Sequence, residues 1–366
     1  MSTVASNRTA DPWTGLVGQP EVSRRLAAAV GAPVHAYLFV GPPGVGKRRA
    51  AAIFAGELFA ADDPEGADRH RRLAVEAKHP DLVIFEPTGT MLRVGDRRAD
   101  GDGEIFAIIA EANRSPTEGS RKVVVVDEFQ TADPTGSAAM LKVVEEPPPS
   151  TIFVLLATQV EPHQLTIESR CTRVDFPALV PDAIAAALVA EGLADVARAE
   201  VVAAAANGSI DRARVLATDE RLATRRSAWW AVPDRLDGTG AAAAVLVEEV
   251  MGLIEDATDV IVAVHAREAE EMDAREEQLG TRGSGRRRME ARHKRELRQF
   301  HREEIRFGLA TLAVRYRDAI ASDTGDRTPH FSEAVDRLRA AADALIRNPN
   351  ETLLLQALFV SLPPLT

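Results

Sequence analysis

Residues 41–47, Gly-Pro-Pro-Gly-Val-Gly-Lys, constrain this chain more than any other stretch. They follow the apolar run Ala36-Tyr37-Leu38-Phe39-Val40 and read as a strand, a glycine-rich turn and then a helix from about Arg48. The spacing is that of the phosphate loop G-x-x-x-x-G-K-[ST] in all but its last position. Gly41, Gly44 and Gly46, with Pro42, Pro43 and Val45 between them, let the backbone wrap a polyphosphate. The helix N-terminus adds partial positive charge, and Lys47 can reach the terminal phosphates. The last position calls for a Ser or Thr hydroxyl to hold Mg²⁺. It is Arg48, which cannot ligate a metal ion. These residues predict a chain that can bind ATP and whose own hydrolysis is weak or absent.

A second stretch points to the same chemistry. Lys122-Val123-Val124-Val125-Val126 predicts a strand buried on both faces, as in a parallel sheet. Asp127 and Glu128 follow at its C-terminal end, where open α/β sheets bind ligands. Asp127 is placed to hold Mg²⁺, directly or through water, and Glu128 to polarise an attacking water. The plainer reading is an acidic helix cap, but behind a phosphate loop the functional one leads. The apolar run 151–158 ends in Thr158-Gln159 at the same predicted edge. Thr158 can contact the terminal phosphate or simply cap the strand, and both readings stand.

Composition sets the frame. The chain has 366 residues, 45% of them apolar, and a formal net charge of −11. That allows two or three domains and excludes a broadly basic nucleic-acid coat. A lone cysteine, Cys171, excludes an internal disulfide framework and a cysteine-rich zinc site, and fits a reducing, cytoplasmic setting. No apolar run is long enough to span a membrane, and residues 1–13 lack a signal-peptide pattern. Residues 61–78 are strongly charged and are expected to project from the body. His70 and His79 read as surface histidines rather than a metal pair. Residues 92–102 have the composition of an exposed loop or hairpin.

From Pro181 the sequence turns to alanine-rich helices, with Asn207-Gly208-Ser209 as a stop and cap between two of them. Trp229-Trp230 reads as core or interface packing, and residues 233–240 as a linker. Beyond them, Leu246, Val250, Leu253, Ala257, Ile261 and Val264 make a helical stripe. Residues 280–285 read as a flexible tip, and a second long helix returns to about Asp318. The pair predicts a hairpin over about 242–318. The basic set Arg286, Arg287, Arg288, Arg292, Lys294 and Arg295 faces the acidic run 268–277, so mutual pairing leads over phosphate binding. A last apolar helix covers 351–362.

Several motifs together resemble a family. His-Ala-Tyr-Leu-Phe before the loop, the stretch 115–128, Leu-Lys-Val-Val-Glu-Glu-Pro-Pro-Pro at 141–149 and Ser169-Arg170-Cys171 look like the AAA+ clamp-loader subunits of bacterial DNA polymerase III, in particular the delta-prime type in an actinobacterial style. The resemblance covers about residues 13–220. It implies an α/β AAA+ P-loop domain over 1–178, a helical lid over 179–233 and an all-helical collar over 234–366. It assigns the phosphate loop to Gly41, Gly44, Gly46 and Lys47, the Walker B pair to Asp127 and Glu128, and the sensor-one position to Thr158. Ser169-Arg170-Cys171 matches a motif whose arginine acts in trans on ATP held by the adjacent subunit. Residues 208–213 resemble the sensor-two region, with Asp211 where ATP-hydrolysing members have Arg, and with Arg212 one position off. Val17-Gly18-Gln19 resembles a segment that AAA+ proteins place against adenine, although a helix lead-in is the plainer reading. The family's cysteine-rich zinc module is missing before His79-Pro80-Asp81, so no zinc is expected. The implied partners are gamma/tau and delta subunits, the sliding clamp and primer–template DNA, within a hetero-oligomer. The alternatives are a gamma/tau-like catalytic ATPase and a non-enzymatic scaffold that closes the ring. Cys171 reads as a packing residue.

Overall fold

The computed structural model describes residues 11–87, 91, 92, 94, 104–219, 221–279, 286–322, 327–345 and 349–365. The chain divides into two compact units, residues 1–214 and 215–366. The division falls inside the span expected for a separate lid.

The first unit is built on a parallel sheet of β1 (Ala36–Val40), β2 (Leu82–Phe85), β3 (Lys122–Val126), β4 (Thr151–Ala157) and β5 (Thr172–Asp175), in the order β2-β3-β4-β1-β5. Alternate strand residues serve opposite faces, as the two-residue strand period requires. Tyr37, Phe39, Val123, Val125 and Val154 pack with α1 (Pro20–Val30) and α2 (Lys47–Asp62). Leu38, Val40, Val124, Val126 and Phe153 pack with α4 (Glu104–Ala112) and α5 (Pro134–Glu145). Burial on both faces explains why β1, β3 and β4 are unbroken apolar runs. Helix α5 starts at Pro134, four residues before its apolar stretch at Ala138, because Pro134 opens it and the Asp133 carboxylate accepts the Gly136 N–H at 2.6 Å.

Residues 61–78 do not project from the body. They carry α3 (Ala67–Val75), which lies close along α2: a Cβ on Gly56 would stand 3.1 Å from Arg71 Cα. Arg71 clamps Glu57 of α2 with bonds of 2.6 and 3.1 Å. Charge in this stretch faces solvent, helix α2 and the segment before β3, where Arg69 meets Glu118 and Asp62 meets Arg121, while His70 and Ala74 are buried. After α6 (Leu165–Glu168) and β5, the unit continues through α7 (Pro181–Ala190) and α8 (Val196–Ala205) into α9 (Ile210–Ala217).

The second unit is helical: α10 (Leu222–Arg235), α11 (Gly240–Leu279), α12 (Arg286–Ser322), α13 (Thr328–Ala344) and α14 (Glu351–Ser361). The expected linker at 233–240 starts later, because α10 runs through Pro233, whose missing N–H affects only the last turn of that helix. Helices α11 and α12 pair antiparallel. Glu255 meets His301, Glu268 meets Arg292 and Asp273 meets Arg286, so partners descend along α12 as they ascend along α11. The buried stripe of α11 is Leu246, Val250, Ile254 and Ala257, and then His265. Val264, expected on it, is 49% exposed. The expected tip at 280–285 and the side chains of Arg287 and Arg288 lie outside the described residues, as do residues 95–102 of the expected loop; Leu92 is fully buried. Trp229 is buried against Phe359, whereas Arg226 and Arg315 lie over the Trp230 ring. Arg225 is fully buried between Asp219 (2.5 Å) and Glu304 (2.8 Å), an ion triad that no sequence pattern announces. No described helix is long and apolar enough to cross a membrane.

Candidate functional site

The glycine-rich turn leaves the C-terminal end of β1 and enters α2 through Gly46. Gly44 (φ +69°) and Gly46 (φ +91°) are left-handed, which favours glycine. A Cβ on Gly41 would lie 2.1 Å from the Phe176 carbonyl oxygen, and one on Gly44 would lie 1.9 Å from Ser209 Oγ. The Ile210 N–H donates to the Gly44 carbonyl at 2.9 Å, so the start of α9 seats directly on the turn. Pro42 and Pro43 are exposed at its tip, while the Val45 side chain is buried in the core beneath.

Lys47 arches back over this turn. Its ammonium donates to the carbonyls of Gly41 (2.6 Å) and Pro42 (2.7 Å). Burial pushes it down to about 8, against the attraction of Asp127 and Asp211. Arg48 donates to Glu86 Oε1, just past β2, and its Nη1 stands 3.8 Å from Asp127 Oδ2. The other Asp127 oxygen accepts the Glu128 N–H at 2.8 Å. Burial raises the Asp127 carboxyl above the usual range, with Arg48 as the main opposing influence. Glu128 itself sits at φ 49°, ψ 39°, a left-handed backbone that a non-glycine residue seldom adopts.

The backbone of the turn and Lys47 fit the phosphates of a nucleotide. The magnesium position does not fit the metal: a guanidinium stands where a hydroxyl is needed and already faces Asp127. Thr158 is at the same sheet edge, where its N–H donates to Gln130 Oε1 at 3.1 Å. Sequence reasoning missed Gln130 and Glu86, since neither falls in a motif.

Arg212 and Asp211 take different roles. Arg212 is 5% exposed and donates its Nε to the Ala205 carbonyl at 3.3 Å, which builds it into the α8–α9 packing. The residue turned to the loop is Asp211, whose Cβ lies 3.6 Å from where a Gly44 Cβ would be. Gln19 donates to the Pro177 carbonyl at 2.8 Å and is 2% exposed, so that segment ties the fold together.

Ser169-Arg170-Cys171 lies just before β5, the strand beside β1, at the end of the strands opposite to the loop. Tyr37, at the start of β1, pairs with Thr172, so Arg170 precedes the strand ends from which the loop departs by about 15 Å, at roughly 3.3 Å per residue. Arg170 is partly exposed. It donates to Glu145 Oε1, to the Thr166 carbonyl (2.8 Å) and to Ser169 Oγ (3.2 Å). Cys171 is half-buried, and burial pushes its thiol up to about 12, far from a reactive thiolate.

His70 and His79 are not at the surface; they are 5% and 2% exposed. His79 Nδ1 accepts the Asp81 N–H at 3.0 Å, its Nε2 meets His70 Nδ1 at 2.8 Å, and His70 Nε2 meets Asp63 at 3.1 Å. With Glu118 they form the one group among the described residues with metal-like spacing. Each member already has another task, since Glu118 pairs with both Arg69 Nη atoms at 2.7 and 2.9 Å.

A parallel sheet carrying a glycine-rich P-loop on one strand, an acidic pair on the next strand but one, and a helical region seated on the loop define a P-loop fold of the AAA+ kind. Residues 18–180 match a family profile described as "DNA polymerase III, delta subunit". Over that stretch the chain is similar to the clamp-loader subunits of DNA polymerase III. It is 32% identical over 173 residues to the tau subunit of DNA polymerase III from Bacillus subtilis (strain 168), covering 46% of this chain and 30% of that protein. It is 29% identical over 153 residues to the delta-prime subunit of the same organism, covering 41% and 44%. The chain thus spans less than half the length of these relatives. A DNA polymerase III gamma subunit-related protein from Thermotoga maritima superposes with a TM-score of 0.44 at 16% identity, over 92% of this chain and 96% of that one.

Proposed function

We propose that this chain is a delta-prime-like clamp-loader subunit that acts on DNA replication by presenting Arg170 to the nucleotide of a neighbouring subunit. The observation that carries this reading is the place of Arg170. It is partly exposed, held by Glu145 and Thr166, and separated from the chain's own phosphate loop by the length of the sheet. An arginine there cannot reach its own nucleotide but can reach one bound by a neighbour. A guanidinium delivered in trans neutralises charge on the transferred phosphoryl and accelerates hydrolysis by about 10³–10⁵. The same residue as a mere surface ion pair would contribute roughly 0–1 kcal/mol. Arg48 and Asp211 support the other half of the reading, that the chain's own loop does not turn over ATP. The partners would be gamma/tau-type and delta-type subunits, the sliding clamp and primer–template DNA.

The test is the clamp- and DNA-stimulated ATPase of a reconstituted assembly. Arg170→Ala is expected to remove turnover at the adjoining site without unfolding this chain, and Lys47→Ala to leave it. Unchanged turnover with Arg170→Ala would sink the proposal. A second reading, a gamma/tau-like ATPase, draws on Lys47 and on the Asp127-Glu128 pair at the loop. It predicts Mg²⁺-dependent turnover by the isolated chain that Lys47→Ala abolishes.

A further inference from the structure

The phosphate loop and the acidic pair are joined by something a hydrolytic site does not have. Arg48 takes the position next to Lys47, and its guanidinium lies between two carboxylates from different strands. One is Glu86 at the end of β2, which accepts a hydrogen bond from Nη1. The other is Asp127 at the end of β3, whose Oδ2 is 3.8 Å from the same Nη1. Asp127 turns its second oxygen inward to the Glu128 N–H, so the oxygen facing Arg48 is the one available to a cation. The arginine side chain is 46% exposed, while that of Glu86 is 22% exposed.

We propose that Arg48 is a resident cation standing in for the divalent metal, so that this loop binds a nucleoside polyphosphate without Mg²⁺. The inference rests on the loop being a nucleotide site. A metal ion in a P-loop site bridges the acidic residue and the phosphate oxygens. A guanidinium can make the same bridge, because its planar fork of donors reaches a carboxylate on one side and a phosphate on the other. It carries one positive charge permanently and cannot lose it to solvent exchange. A divalent ion brought to Asp127 would meet this fixed charge within a few ångströms, with Lys47 beside it. The two cations compete for one carboxylate, and the covalently attached one is always present. The replacement also explains why binding and hydrolysis separate here. A guanidinium neutralises phosphate charge, but it does not hold the water shell through which a metal orders the reacting groups. The ligand is therefore an ATP- or ADP-like polyphosphate, held by backbone N–H groups of the turn, Lys47 and Arg48.

The experiment is a calorimetric titration of the isolated full chain with ATP, once in excess Mg²⁺ and once in EDTA. For the wild type the two dissociation constants are expected to agree within about twofold, since the site supplies its own cation. Arg48→Thr restores the hydroxyl and frees Asp127, and it is expected to bind at least about tenfold more tightly with Mg²⁺ than in EDTA. Arg48→Lys keeps the charge and should follow the wild type in lacking a metal requirement. Wild-type binding that collapses in EDTA overturns the proposal, and so does an absence of binding in both conditions. The wild-type comparison stands even where a variant fails to fold. Neither result touches the reading of Arg170, which is measured on a neighbour's nucleotide in the assembly.

Discussion

Asp81 is fully buried and still holds its charge. Burial alone would raise its carboxyl, but N–H groups of Thr117, Gly119 and Glu118 converge on it and hold it below the usual carboxylate range. The His79-Pro80-Asp81 segment thus pins the loop before β3, a structural task. Asp81→Asn puts an amide against those donors and should destabilise the chain by about 2–3 kcal/mol, read as a lower urea midpoint. The pH dependence has a definite sign. A carboxylate whose folded pKa is depressed contributes stability above its unfolded value, about 3.9, and loses it as the pH falls through the lower folded value. The wild type should therefore lose stability more steeply in acid than the variant, and parallel acid profiles would refute this account. At this scale the local geometry of the glycine-rich turn was legible: Gly44 and Gly46 are left-handed, and Lys47 opens the helix that follows. Their companions were not. Glu86 and Gln130 reach Arg48 and Thr158 from other segments, and Arg212 is built into the α8–α9 packing. A spacing rule cannot see convergence of residues tens of positions apart.

Helix α12 shows how an element is fitted to its neighbour. A Cβ on Gly308 would stand 2.1 Å from the Trp229 ring of α10, so the indole lies flush on the helix backbone. Helix propensity alone predicts that Gly308→Ala gains about 1 kcal/mol. The ring is 1% exposed and has no room to retreat, so overpacking by about 1–3 kcal/mol should prevail. A thermal melt settles the sign, and a raised midpoint would show that Trp229 can move. Among the elements, the strands were legible because burial on both faces writes an unbroken apolar run. Helix α3 was misjudged because its charges outnumber its buried residues, and composition does not say that His70 and Ala74 share one face. The α11–α12 pair was legible from its stripe, but the phase was not. Over forty residues of α11 a small error in helical period moves the buried position from Val264 to His265, where the ring stacks on His293 at 3.8 Å.

Among the described residues each unit has hydrophobic clusters of its own. The clusters on the two faces of the sheet draw only on residues up to Phe176, and the helical cluster only on Trp229 and beyond. A fragment ending at Thr218 should therefore fold alone, with helical circular dichroism and one cooperative thermal transition. A fragment that stays unfolded would show that the first unit needs the second. By itself the sequence determined the P-loop class, the parallel sheet and the separate helical region, because these follow from local patterns: apolar runs, glycine spacing and helical stripes. Only the tertiary structure decided that Arg48 faces Asp127, that Asp211 lies close to Gly44, and that Arg170 stands a strand's length from the glycine-rich turn. Those are distances between residues remote in sequence, and they exist only once the strands are ordered and paired.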